Sequence, residues 1–217
     1  MLPDWRMTLY DLALSQAPID LPEDAHRFVY VHQGRAIIDT YGTRVEVQSD
    51  EGAFISPHSR IAGDGNVWIY EIGPDGQQLL AAPDLSIVLS RRFPLDLAPA
   101  WLLRADRIES TPGSATPRHG HRGPGMRRLI KGRLQAEIGD SIERIDAGHA
   151  WFESGLDPVI GTNTHSGNSA FVRVMVLPME LEGGKSSFVP ATPQDAAKPR
   201  AVVNRLFGEV VMTTTKP

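Results

Sequence analysis

The stretch Gly113–Gly132 reads G-S-A-T-P-R-H-G-H-R-G-P-G-M-R-R-L-I-K-G. His119 and His121 stand two residues apart inside it, with Gly113 and Gly132 bracketing the run. On a strand, residues i and i+2 point to one face, so both imidazoles can converge on a single metal ion. By the same alternation Gly125, Arg127 and Leu129 share a face. The chain of 217 residues contains no cysteine, so any metal must be held by imidazole, carboxylate or water.

Outward from this run the sequence reads as strand after strand. Arg27–His32, Arg35–Thr40, Arg44–Gln48 and Val67–Ile72 are short β-branched and aromatic segments bounded by turn residues, and so are Arg127–Ile130, Arg133–Ile138, Glu143–Ile145 and Phe171–Leu177. Twenty glycines and 17 prolines suit this turn-rich grammar. A helical period is expected only around Pro199–Phe207. The pattern is written twice, at an offset near 96–98 residues. Trp5 aligns with Trp101, Gly34 with Gly132 and Gly52 with Gly148 at that spacing, and W-I-Y-E-I-G-P from Trp68 aligns with V-R-V-M-V-L-P from Val172 at a spacing of 104. Landmarks kept in one order imply two tandem β-barrels. We expect an N-terminal barrel over 1–90, a C-terminal barrel over 91–189 and a tail over 190–217. The segment Leu85–Leu89 reads as a strand that could pair across the two barrels.

The run around the two histidines resembles the first signature of the cupin family, G-x5-H-x-H-x3-4-E-x6-G. Gly113, His119, His121 and Gly132 match it, but Gly125 stands where the family has a metal-binding Glu. The second signature, G-x5-P-x-G-x2-H-x3-N, laid on Gly148, keeps only that glycine and Asn163; Val159 occupies the histidine position. The resemblance implies an all-β chain of two cupin double-stranded β-helix (jelly-roll) barrels, a bicupin. It further implies a divalent transition metal (Fe, Zn, Mn or Ni) held by His119 and His121, with Glu153, Asp157 or His165 completing the shell. Either acid would give a set of two histidines and one carboxylate with open positions, and His165 a third imidazole. In the first repeat the ligand positions fall on Leu21, Glu23, Arg27 and Gly63, so no metal site is expected there.

In such a barrel the face of Arg127 looks inward, and a buried arginine needs a partner. An internal Glu or Asp is the favoured partner; a substrate carboxylate or phosphate would make Arg127 a catalytic-site residue instead. Arg122 and Arg128 are expected to be exposed, and Tyr30, Trp68, Trp101 and Trp151 to be packing residues. The leading functional expectation is a metal-dependent enzyme of oxygenase, isomerase or lyase type acting on a small polar molecule in the C-terminal barrel. The alternative is a non-catalytic ligand-binding or regulatory barrel that has lost its metal. A net charge of −4 argues against a nucleic-acid partner. No apolar run of membrane-spanning length occurs, and M-L-P-D-W-R-M lacks the features of a secretory signal. A cytoplasmic homodimer is the expectation.

Overall fold

The computed structural model describes residues 4–96 and 98–213. The chain divides into two compact units, Met1–Ala98 and Pro99–Pro217. The first is built from β1 (Asp4–Leu14), β2 (Ile19–Leu21), β3 (His26–Thr40), β4 (Thr43–Gln48), β5 (Gly52–Ile55), β6 (Ser59–Pro74) and β7 (Leu85–Pro94). They form one antiparallel sheet in the order β4-β3-β6-β1-β7, with β2 added to β6 and β5 to β3. β3 and β6 stay paired from end to end, through a bulge between Val31 and Gln33. Gly34, just beyond the bulge, has φ +77°, and a Cβ there would lie 2.0 Å from the Asp64 carbonyl oxygen. Only glycine fits that corner.

The interior of this unit holds an apolar cluster. Tyr10, Leu12, Leu21, Val29, Val31, Ala36, Ile38, Val47, Ile61, Val67 and Ile69 pack as one buried cluster. One charged pair lies within the fold: Arg27 Nε donates to Glu71 at 2.7 Å, and Glu71 also accepts from the Tyr10 hydroxyl at 2.9 Å. Both charged side chains are almost wholly buried. Leu21, the counterpart of His119, belongs to the apolar cluster, and Glu23, the counterpart of His121, pairs with His58 at the surface.

The second unit comprises β8 (Ala100–Ser110), β9 (His119–His121), β10 (Gly125–Lys131), β11 (Arg133–Ile138), β12 (Ser141–Asp146), β13 (Ala150–Glu153), β14 (Val159–Asn163), β15 (Ser169–Leu177), β16 (Phe188–Pro190), the one-turn α1 (Pro193–Ala196) and β17 (Val202–Thr213). Two five-stranded sheets, β13-β10-β15-β8-β17 and β12-β11-β14-β9-β16, form its jelly roll. Gly132 joins β10 to β11 at φ +88°, the counterpart of Gly34, with Ser169 Oγ 2.2 Å from where its Cβ would be. Asn163, kept from the second signature, is a loop staple: its amide donates to the Ser110 and Gly167 carbonyls and accepts from His165 N and Ser169 Oγ. Leu129, Leu134, Ala136, Ile145 and Trp151 close one end of the interior.

Two expectations are corrected here. The segment Pro199–Phe207 is not helical: most of it lies in β17, which pairs with β8 from Val202 to Thr213. β7, read as a strand that could pair across the barrels, pairs with β1 of its own unit, which meets it through nine residues from Asp4 to Leu12. The first unit ends at Ala98 rather than at residue 90, and the segment from residue 190 onward supplies the last residue of β16 and the whole of β17 to the second barrel.

The buried pair in the first unit gives a direct test. Arg27→Met leaves the Glu71 carboxylate buried without its cation and is expected to cost about 3–5 kcal/mol. The double variant Arg27→Met/Glu71→Leu should recover most of that loss, as read from urea denaturation midpoints.

Candidate functional site

Between the sheets of the second unit lies a cavity of about 500 Å³. β9 brings His119 and His121 to its wall, β10 brings Arg127, β13 brings Trp151 and Glu153, and β15 brings Arg173. The cross-strand register explains the convergence. Gly125 sits directly opposite Glu153, and Val159 directly opposite His119. The carboxylate missing from position 125 is thus replaced by one on the adjacent strand. A side chain could not return to position 125 without displacement, because its Cβ would lie 2.8 Å from the Val174 carbonyl oxygen and from Met175 Cγ.

Each polar group is tightly held. Arg127, 1% exposed, places Nη2 2.6 Å from Glu153 Oε2 and donates from Nη1 to the Gly125 carbonyl at 2.6 Å. Glu153 accepts at its other oxygen from Trp151 Nε1 at 2.9 Å, and its Oε2 lies 3.4 Å from His121 Nε2. His119 stacks on Phe188 at 4.3 Å, and its Nδ1 sits 2.8 Å from the Pro117 carbonyl, which can only accept. The two imidazoles meet edge to face, 4.8 Å between ring centres. Farther round the wall, Arg173 binds Asp106 through two bonds of 2.9 and 2.6 Å, and Asn204 supports the same carboxylate. Arg104 pairs with Glu209 at 2.6 Å and also donates to the Lys185 and Leu181 carbonyls.

Burial holds both imidazoles neutral. For His119, desolvation pushes the pKa below the ordinary value of 6.5. For His121 it is pushed well below, first by desolvation and then by the positive charges of Arg127 and Arg173.

Of the expected site residues, His119, His121, Glu153 and Arg127 come together. Asp157 does not: it lies exposed on a turn, accepting from Ser154 Oγ at 2.8 Å. His165 is likewise exposed and absent from the cavity wall. Arg127 has the internal carboxylate partner that was favoured for it. Arg128 proves buried, donating to the Gly148 carbonyl. Trp151 is a wall residue as well as a packing one. Arg104, Arg173 and Phe188 were missed. Arg173 had a signal, as the one charge in the apolar run F-V-R-V-M-V-L.

The donor set does not fit a divalent ion. Among the described residues no three His, Asp or Glu side chains form a group that could hold a metal. The Glu153 oxygen nearest His121 already faces the guanidinium of Arg127, so a dication added there would meet a fixed positive charge.

No family model matches the chain, and no curated protein matches it. Solved structures do. A cupin 2 conserved barrel domain protein from Leptotrichia buccalis aligns at 14% identity over 81% of this chain and 85% of that one, with a TM-score of 0.53. An oxalate decarboxylase from Lactobacillus farciminis, solved as its formate complex, aligns at 10% identity over 91% and 82%, with a TM-score of 0.56. A salicylate 1,2-dioxygenase from Pseudaminobacter salicylatoxidans aligns at 9% identity over 94% and 76%, with a TM-score of 0.54. The fold is therefore that of two tandem cupin barrels; similarity at this level carries fold and not activity.

The neutral imidazoles make stability depend on pH. The unfolded chain takes up a proton near the ordinary histidine value of 6.5, whereas the folded chain resists it to lower pH. The stability linked to these groups is complete above that value and is lost as pH falls toward the lower folded-state values. Thermal midpoints are expected to fall between about pH 7 and about pH 5, and the fall should be shallower in His121→Asn.

Proposed function

We propose that the second barrel binds a small organic anion, one carrying a carboxylate and an apolar portion, and that it does so without a metal ion. The observation that carries this reading is the charge on the cavity wall. Four guanidinium groups line it, from Arg104, Arg127, Arg173 and Arg200, against the single carboxylate of Glu153. Asp106 and Glu209 stand behind Arg173 and Arg104, which leaves Arg200 with no carboxylate partner among the described residues. Arg200 lies over the Phe188 ring at 4.4 Å and donates to Ser186 Oγ at 2.9 Å. It is exposed, and so is suited to draw an anion inward.

Within the cavity, Arg173 uses Nε and Nη2 on Asp106, leaving its Nη1 donors for a ligand oxygen. The two uncharged imidazoles add no charge of their own to the wall. Ile108, Leu134, Val159, Phe171, Phe188 and Leu206 supply the apolar wall that a hydrocarbon portion would meet. The cavity volume lies within the range of small-molecule sites, roughly 300–1,000 Å³.

Calorimetric titration with benzoate and succinate, against benzamide and succinamide, tests this reading. The acids are expected to bind saturably and to raise the thermal midpoint, and the amides to do neither. Arg200→Gln should weaken acid binding by about tenfold or less, an effect on the order of 1.4 kcal/mol, and added salt should reduce the difference. Equal binding of acids and amides, or no binding of either, would overturn it.

A further inference from the structure

Gly125, Arg127 and Glu153 form one set. The signature position that should carry a carboxylate carries no side chain, the carboxylate stands across the register on Glu153, and the Arg127 guanidinium fills the space beside both. Its Nη1 would lie 3.3 Å from a Cβ on Gly125, and the same nitrogen bonds the Gly125 carbonyl. Its Nη2 contacts the Glu153 oxygen that faces His121 Nε2. His119 is held through Nδ1 by a backbone carbonyl, the outer-shell arrangement that orients a metal-ligating imidazole. With Arg127 in place, these two imidazoles and one carboxylate do not group as a metal site: the guanidinium is paired with the carboxylate, and its charge bears on both rings.

We infer that Arg127 is the resident cation of the second barrel: its guanidinium holds the position that a divalent ion would otherwise take between Glu153 and the two histidines. Guanidinium stays protonated at every physiological pH, so this cation is permanent and independent of metal supply. Converting it to a neutral side chain opens the site to a metal. The inference stands apart from the anion reading, because its test reads zinc and not carboxylate.

The full chain, untagged and stripped with EDTA, is titrated with Zn²⁺ by calorimetry and assayed for retained metal after gel filtration. Arg127→Gln, whose amide can still donate to Glu153, and Arg127→Met are the two variants. Each is expected to bind one zinc per chain at least about a hundredfold more tightly than the wild type, as a three-ligand site should. Zinc should raise the thermal midpoint of the variants and leave the wild type unmoved. Adding Glu153→Gln or His121→Ala to Arg127→Gln should abolish the gain. A variant that is unfolded in EDTA is expected to regain its fold with zinc. Wild-type protein that retains one zinc, lost in His119→Ala/His121→Ala, overturns the inference. So does a folded variant without the gain, a gain that survives Glu153→Gln, or an unfolded variant that zinc does not restore.

Discussion

The second barrel is organised around one buried ion pair, Arg127 with Glu153. Taking both charges out of water is expensive, and such a pair persists only when its remaining donors and acceptors are satisfied. Here the Gly125 carbonyl takes one Arg127 donor and the Trp151 indole serves the other Glu153 oxygen. These partners come from two adjacent strands whose register puts Gly125 opposite Glu153, so a slip by one residue would turn every inward group outward. The pair also sets its surroundings: the Arg127 charge is among the causes that keep His121 uncharged.

The first unit shows what the same repeat does under different packing. It too buries an arginine–glutamate pair, Arg27 with Glu71, and Arg27 is itself the counterpart of the lost ligand position. There an apolar cluster occupies the interior, with Leu21 where the second unit has His119. In the second unit histidines and arginines replace those aliphatic groups, and polar groups that need partners leave a space which side chains do not fill. What lines a barrel's interior is decided by a few inward positions on an otherwise shared grammar of strands and glycine corners.

Much of this was legible in the sequence. Gly34 and Gly132 were found as paired landmarks because both occupy left-handed corners that other residues resist. Strand alternation put Arg127 on one face with Gly125 and Leu129, and the resemblance to the cupin signature turned that face inward. What could not be read was the identity of the acid. Glu153 and Asp157 are close in sequence, but Glu153 ends a strand on the same face as the inward Trp151, whereas Asp157 lies past Gly155, whose φ of +86° has already turned the chain. Choosing between them needs the pairing of β10 with β13, a long-range fact. The Pro199–Phe207 segment was misread for a related reason. Val202, Asn204 and Leu206 all line the cavity, and the inward asparagine, which serves Asp106, breaks the apolar alternation that would have marked a strand.

β17 carries a consequence for the order in which the protein becomes competent during synthesis. Its residues complete the cavity wall, and it is held against β8, about a hundred residues earlier in the chain. The first unit has every strand it needs before the second begins to emerge, and domains generally fold as units from the N-terminal end. The histidines, by contrast, leave the ribosome some eighty residues before the strand that encloses them. Until β17 docks, the guanidinium layer faces water, where its charges are screened. The cavity wall is therefore completed late in the synthesis of the second unit, and a nascent chain stalled before Val202 would carry every imidazole and carboxylate of the site without the strand that completes its wall.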